Sequence, residues 1–331
     1  MKKRLLLLVM TVCFLLCGCG KPTENSVMKD LTKKVDTKGY YLQGNLEIVN
    51  NEDVYTYDVN VSYKKEDMFR VVLKNLANNH EQIILRNADG VYVLTPSLNK
   101  SFKFQSEWPY NNSQIYILQQ LLDDIKSDNN RKFVQKNNQY EFLVKANYPN
   151  NKLLQKQTIT FDKNLKIKQV VITDDNDQEH MRVKFNKVDM KANFDDKYFA
   201  LSENMKVSGD VSSEKQVTKL EDVVYPMYMP ENTSLQSQDK VSKDIGERVI
   251  LTFGGDSPFM LVEETANYQD EMEIIPTYGE PAMLGGSVGA VTDSSITWSS
   301  NGVEYYLVSD VLDTDELLQV ANSIGNLPVM K

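Results

Sequence analysis

Between Tyr41 and Val188 apolar side chains recur at every second position, broken at short intervals by turn residues. Leu42, Leu46 and Ile48 alternate with Gln43, Asn45 and Glu47. Tyr55, Tyr57, Val59, Val61 and Tyr63 alternate with Thr56, Asp58, Asn60 and Ser62. Successive side chains of a strand point to opposite faces, so this pattern describes strands with one face buried and one wetted. Further strands are expected at Phe69–Leu76, Gln82–Arg86, Val91–Thr95, Lys132–Gln135, Tyr140–Lys145, Lys156–Phe161, Leu165–Thr173 and Glu179–Val188. Asn78-Asn79, Asp89-Gly90, Asn137-Asn138, Asp162-Lys163-Asn164 and Asp175-Asn176-Asp177 supply the connections. An antiparallel sheet of this many strands has to curl or split. Two helical stripes accompany it. Val27, Met28, Leu31 and Val35 share one face, with Gly39 placed as a stop. Ile115, Leu118, Leu121, Leu122 and Ile125 share another, after Pro109. A strongly bent sheet with helices laid on its concave side is the economical arrangement.

The pattern changes after Ser202. Residues 202–219 are polar and rich in Ser, Lys and Glu, and read as a linker. Six of the ten prolines lie beyond it, which marks residues 220–331 as a second unit. Val249–Phe253 and Phe259–Glu263 flank Gly254-Gly255-Asp256-Ser257 as a hairpin, and Ile296–Trp298 and Val303–Val308 flank Ser299-Ser300-Asn301-Gly302 as another. Thr314 is placed to cap a last helix whose Leu317, Leu318, Ala321 and Ile324 share a face. The fold class is therefore α+β, in two units of unequal size.

The N-terminus carries a different kind of signal. Lys2, Lys3 and Arg4 precede an apolar run from Leu5 to Leu16 that is too short for a stable membrane span. Gly18-Cys19 then supplies the small residue and the cysteine of a lipobox, whereas bulky Leu16 disfavours cutting before Cys17. The expectation is a lipoprotein signal peptide over 1–18, cleavage between Gly18 and Cys19, acylation (palmitate) of Cys19, and a polar tether over 19–26. Removal of three positive charges takes the formal charge from −9 to about −12. A chain this acidic is repelled by nucleic acid and anionic headgroups, so attachment to a membrane must come from acyl chains. Cys13, Cys17 and Cys19 are the only cysteines, so disulfides and thiolate metal sites are excluded from the body.

Catalytic motifs are poorly represented. Gly285-Gly286-Ser287-Val288-Gly289 fits the spacing of a nucleophile elbow, which needs a helix after the serine and a histidine later in the chain. Both histidines, His80 and His180, precede Ser287, and Thr292-Asp293-Ser294 reads as a turn. The segment is expected to be a flexible glycine loop. His180 lies near Asp174, Asp175, Asp177 and Glu179, a set that a divalent ion could use; the same residues suit a strand-to-strand turn. His80 is expected as a solvated turn residue. No catalytic residue, metal site or cofactor is assigned, and the chain is not read as an enzyme.

Phe69-Arg70 and the run Asp89-Gly90-Val91-Tyr92-Val93-Leu94-Thr95-Pro96 resemble the core signature of LolA-type lipoprotein carriers. The resemblance extends more weakly over residues 27–200. Trp108-Pro109-Tyr110-Asn111-Asn112-Ser113-Gln114-Ile115 is similar to a branch of tethered LolA-like lipoproteins in spore-forming Gram-positive bacteria. Trp298 to Ser323 resembles a domain of unknown function appended to Gram-positive membrane and sporulation proteins. The resemblance implies a half-open antiparallel β-barrel closed by helices over 27–201, followed by a smaller α+β domain. It also implies an apolar cavity, for which Tyr55, Tyr57, Phe102, Phe104, Trp108, Tyr116, Phe142 and Phe161 are the candidate lining. The alternation alone fits a packed core equally well. The carriers' lid-closing Arg-Pro pair is replaced here by Lys65-Glu66, and an anchored chain cannot shuttle between membranes.

The expectation is a non-enzymatic extracytoplasmic lipoprotein on the cell membrane, in a forespore or mother-cell envelope. It would bind a lipid, acyl chains or an envelope protein in the half-barrel. The alternative is an adaptor or regulator in sporulation or germination, acting through protein contacts.

Overall fold

The computed structural model describes residues 21–50, 53–149, 151–206, 220, 222–243, 245–267 and 271–324. The expected signal segment, Cys19 and residues 207–219 of the expected linker lie outside them.

The alternating region forms eleven strands: β1 (Gly39–Asn50), β2 (Asp53–Lys64), β3 (Met68–Asn75), β4 (Glu81–Asn87), β5 (Gly90–Thr95), β6 (Lys100–Phe104), β7 (Lys132–Lys136), β8 (Gln139–Lys145), β9 (Lys156–Asp162), β10 (Ile167–Thr173) and β11 (Glu179–Asp189). Their spatial order is β6-β5-β4-β3-β2-β1-β11-β10-β9-β8-β7, an open antiparallel sheet. Asn79, Asn137, Asn138 and Asp177 turn the corners with positive φ, which Asn and Asp accept more readily than other side chains.

The concave face carries the core. Tyr40, Leu42, Val59, Val61, Phe69, Val71, Phe142, Ile159, Val170 and Val183 all point into it. Helix α1 (Glu24–Val35) lays Val27, Leu31 and Val35 on this face, and α2 (Leu118–Ser127) adds Leu118, Leu121, Leu122 and Ile125. Thr23 caps α1 by accepting the Ser26 amide at 3.3 Å, so the helix starts inside the stretch read as tether. Gly39 does not end this helix; it is the first residue of β1. Strands β3 to β5 are covered on their convex face as well. Val72, Ile83, Leu85, Tyr92 and Leu94 pack there against Phe199 and Met205, which flank the short helix α3 (Leu201–Asn204). Burial on both sides explains the unbroken apolar runs Val71-Val72-Leu73 and Ile83-Ile84-Leu85.

The C-terminal part contributes β12 (Thr233–Ser242), β13 (Glu247–Gly255), β14 (Phe259–Thr265), β15 (Glu273–Thr277), β16 (Glu280–Leu284), β17 (Ser287–Val291), β18 (Ser295–Ser300) and β19 (Val303–Val308). Seven of these form a second antiparallel sheet in the order β12-β13-β14-β19-β18-β17-β16. Helix α4 (Thr314–Asn322) covers it through Leu317, Leu318 and Ala321. Its cap is Asp313, which accepts the Glu316 amide at 2.9 Å; Thr314, expected as cap, is the first helical residue. Asp is as good an acceptor at this position as Thr, and here it comes one residue earlier. Strand β15 leaves this sheet and pairs in parallel with β6, placing Ile275 opposite Phe102 and extending the first sheet to twelve strands.

Glu263 on β14 is fully buried, and both its carboxylate oxygens accept the Val224 amide, at 3.0 and 3.1 Å. Burial pushes the carboxyl up to about 7, although the Val224 N–H favours the ionised form. A carboxyl raised in the folded state keeps its proton there after the unfolded chain has lost it. Its stabilising effect is complete below the unfolded value and fades as pH rises towards the folded one. Stability should therefore fall between about pH 5 and pH 7, and Glu263→Gln should flatten that slope and be more stable than wild type by about 2 kcal/mol near pH 8, as read by urea unfolding. Phe142 has no exposed surface, and its ring centroid lies 5.0 Å from that of Phe133 and 6.3 Å from that of Phe161. Phe142→Ala should cost about 3–5 kcal/mol in the same measurement; a loss under about 1 kcal/mol would show that this part of the half-barrel is not tightly packed.

Candidate ligand site at the junction of the two sheets

Strand β17 is where the two sheets meet, and all five of its residues are buried. Val288 and Ala290 join the core of the half-barrel, while Val291 joins the core of the second sheet. The period of two distributes the strand between two cores instead of between core and water. Close approach on the second side is possible because residue 289 lacks a side chain: a Cβ there would lie 2.7 Å from the Thr297 carbonyl oxygen. The glycines expected to make a flexible loop thus serve an ordered hairpin, β16–β17, whose turn is Gly285-Gly286. Ser287 opens a strand instead of preceding a helix, so it does not sit on a nucleophile elbow.

Polar contacts from the first sheet hold this hairpin. On β4, Gln82 turns its amide to Val288, accepting from the Val288 N–H at 2.6 Å and donating to its carbonyl at 3.1 Å. All these groups are buried, so leaving either backbone group unpaired would cost about 1–3 kcal/mol. The pairing is needed because β17 meets β18 only at Ala290 and Val291. Gln82 takes the place of the missing strand. The Tyr57 hydroxyl donates to the Gly285 carbonyl at 2.7 Å, and burial raises its pKa far enough to keep it protonated. Asn322, at the end of α4, accepts the Gly285 amide at 3.1 Å and receives the Asn50 side chain on its carbonyl at 2.6 Å.

Where β17 and β18 part, a cavity of about 310 Å³ remains. Val93, Phe102 and Phe104 wall it from the first sheet, Ile275 and Pro276 from β15, Val288 and Ala290 from β17, and Trp298 from β18. Gln82 and the hydroxyl residues Thr277, Tyr278, Thr292, Ser295, Thr297, Ser299 and Tyr306 provide its polar groups, and no carboxylate, ammonium, guanidinium or imidazole side chain is among the residues lining it. Its size falls at the lower end of the range for small-molecule sites, and its lining has their usual character. A second space of about 80 Å³ lies beyond β16, against Ile84, Tyr116 and Tyr148, and a third of about 150 Å³ lies at the hairpin turn, against Ile48, Met181 and Gly285.

The eight aromatic residues singled out from the sequence divide among these environments. Phe102 and Phe104 line the largest cavity, and Tyr116 lines the smallest. Tyr57 holds the Gly285 turn and Tyr55 packs beside it, its ring within 2.8 Å of where a Cβ on Gly285 would stand. Trp108, Phe142 and Phe161 lie in the packed core, with Trp108 edge-on to Phe69 at 6.1 Å. Gln82 and the residues of β15 are not among the sequence candidates, and the start of β17 is read there only as a glycine loop. The one hint is a glutamine adjoining the apolar run Ile83-Ile84-Leu85.

The histidines have structural settings. His80, expected in solvent, is buried, because the neighbouring Asn78 side chain donates to Asn301 at 2.9 Å and the second sheet's β18–β19 turn closes over this corner. The His180 ring nitrogen Nε2 lies 3.4 Å from Asp174, whose other oxygen accepts the Asn176 and Gln178 amides at 2.9 Å each. Desolvation opposes ionisation of Asp174, but these amides and His180 outweigh it and hold the carboxyl below its ordinary range. The cluster thus works as the β10–β11 turn.

The family model for outer membrane lipoprotein carrier protein LolA matches residues 67–202. Sporulation protein YdcC of Bacillus subtilis strain 168 is 34% identical over 323 residues, which covers 97% of this chain and 96% of that protein. Among solved structures, a chain of the Pseudomonas aeruginosa MucA/MucB complex is 12% identical, covering 90% of this chain and 98% of its own, with a TM-score of 0.33. The LolA superfamily protein NE2245 from Nitrosomonas europaea is 10% identical, covering 55% of this chain and all of its own, with a TM-score of 0.31. Identity at this level with YdcC, sustained along nearly the whole length, shows that the chain belongs to the LolA-like family of that sporulation protein.

Proposed function

We propose that this protein is a non-catalytic, lipid-anchored lipoprotein on the outer face of the cell membrane, and that it holds an acyl chain where the half-barrel meets the second sheet. The observation that carries this reading is the cavity of about 310 Å³, walled by Phe102, Phe104, Val93, Ile275 and Trp298 and free of charged side chains. A methylene chain leaves no polar group unpaired in such a lining and gains about 0.8 kcal/mol for each CH₂ removed from water, offset in part by its lost conformational freedom. Thr297 and Ser299 can hydrogen-bond an uncharged or ester-linked end of the ligand. The anchor would be the acylated Cys19, exposed by cleavage after Gly18. Two or more acyl chains on it would fix the molecule durably, where one chain binds only marginally.

A second reading, an adaptor in sporulation or germination, has its own support in β12. That strand ends the second sheet, is exposed along almost its whole length, and presents Leu235 and Val241 to solvent. An edge of this kind can accept an added strand from a partner.

Native mass spectrometry of the protein after mild extraction should show retained lipid in wild type. Thr297→Phe, which fills the cavity from β18, should weaken fatty-acid binding about tenfold or more without lowering the melting temperature. Unchanged binding in that variant would remove the cavity from the account. Cys19→Ala should abolish incorporation of radiolabelled palmitate and move the protein from the membrane fraction to the soluble one; retention in the membrane fraction would disprove the anchor.

A further inference from the structure

Three cavities share one partition, while a further one of about 180 Å³ is lined by neither strand of the β16–β17 hairpin. Val288, Gly289 and Ala290 of β17 wall the largest, Pro281, Ala282 and Met283 of β16 wall the smallest, and Met283 and Gly285 wall the third. On the far side, all three abut the concave face of the half-barrel, at Phe102, Ile84 and Ile48 respectively. The hairpin β16–β17 therefore divides what would otherwise be continuous space along that face.

We propose that these cavities are segments of a single acyl-chain groove in the half-barrel, and that hairpin β16–β17 is a resident plug that withdraws when the ligand enters. The inference rests on the acyl-chain reading above and adds the regulation of that site. Two features suit the hairpin to this task. It puts few apolar side chains into the half-barrel: β17 offers Val288 and Ala290, and β16 adds the partly buried Met283. An acyl chain would bury considerably more apolar surface on the same face. The hairpin is retained instead by directional contacts, the Gln82 amide on Val288 and the Tyr57 hydroxyl on Gly285. Contacts of this kind are lost together once the strand moves by more than a hydrogen-bond length, so the hairpin has two states, seated or withdrawn. Few strand pairings to the second sheet oppose the movement, which would pivot on the two-residue link Tyr278-Gly279 to β15. β17 is paired with β18 at two positions only, and β16 forms the outer edge of the second sheet.

The test uses the full mature chain with palmitic acid as ligand and cis-parinaric acid as its fluorescent reporter. Hydrogen exchange followed by mass spectrometry should show faster deuterium uptake at 283–291 when palmitate is bound, with slower uptake at β5 and β6. Tyr57→Phe removes the hydroxyl that holds Gly285 without altering the lining of any of the three cavities. Loosening the plug should raise the population open to ligand, so this variant should bind parinarate about fivefold more tightly. If wild type binds parinarate, but uptake at 283–291 is unchanged or slower and Tyr57→Phe binds no more tightly, the plug is disproved and the acyl-chain reading survives. If neither form binds, the acyl-chain reading fails and takes the groove with it.

Discussion

A strand buried on both faces has no freedom to slide, because a shift of one residue would exchange the side chains owed to each core. Ser287 to Val291 is such a strand, and the two sheets of this protein are placed by it. Val288 and Ala290 can fill the half-barrel only if Val291 simultaneously fills the second core, and Gly289 must stand where the Thr297 carbonyl leaves no room for a Cβ. The contacts of Gln82, Tyr57 and Asn322 follow from that placement, as does the space left where β18 turns away.

The half-barrel itself is secured by more ordinary means. A row of rings, Tyr40 on Tyr63 at 5.0 Å, Tyr63 on Phe69 at 4.9 Å and Phe69 edge-on to Trp108, runs along the concave face beside α2. On the convex face, the Arg70 guanidinium lies over the Tyr198 ring at 5.2 Å and its Nε donates to Asn204. This fastens the segment that carries α3 across the back of β3. Large side chains thus hold the half-barrel, while hairpin β16–β17 is seated against it by Val288, Ala290 and Met283 and by the Gln82 and Tyr57 hydrogen bonds. The division matters for function, since the part held by few apolar atoms is the part that can move at modest cost.

Much of this was legible in the residues. Alternation at Tyr55 to Tyr63 fixes which face of β2 is buried, and the Asn and Asp corners are local chemistry that needs no tertiary help. The stripes of α1 and α2 show which helix faces meet the sheet. The junction was not legible, for a physical reason. Five buried residues composed of serine, valine, glycine and alanine carry no strong periodicity, and glycine reads as looseness where it in fact serves close approach. His80 misled in the same way, since a turn looks solvated until another part of the chain covers it. The parallel partner of β6 was also invisible, because Pro276 within Glu273–Thr277 speaks against a strand except at a sheet edge, which is where β15 lies.

That edge position has a consequence for how the molecule is made. β6 gains its outer neighbour only from residues far downstream, beyond the whole of the first sheet and the first three strands of the second. Until they arrive, a nascent chain holds a nearly complete sheet with the β6 margin raw and with Phe102 and Phe104 uncovered beside it. Unsatisfied strand margins flanked by aromatic rings are sticky, and contacts between distant parts of a chain form late. Biogenesis therefore includes an interval in which the half-barrel is shaped but unguarded, when self-association competes with maturation.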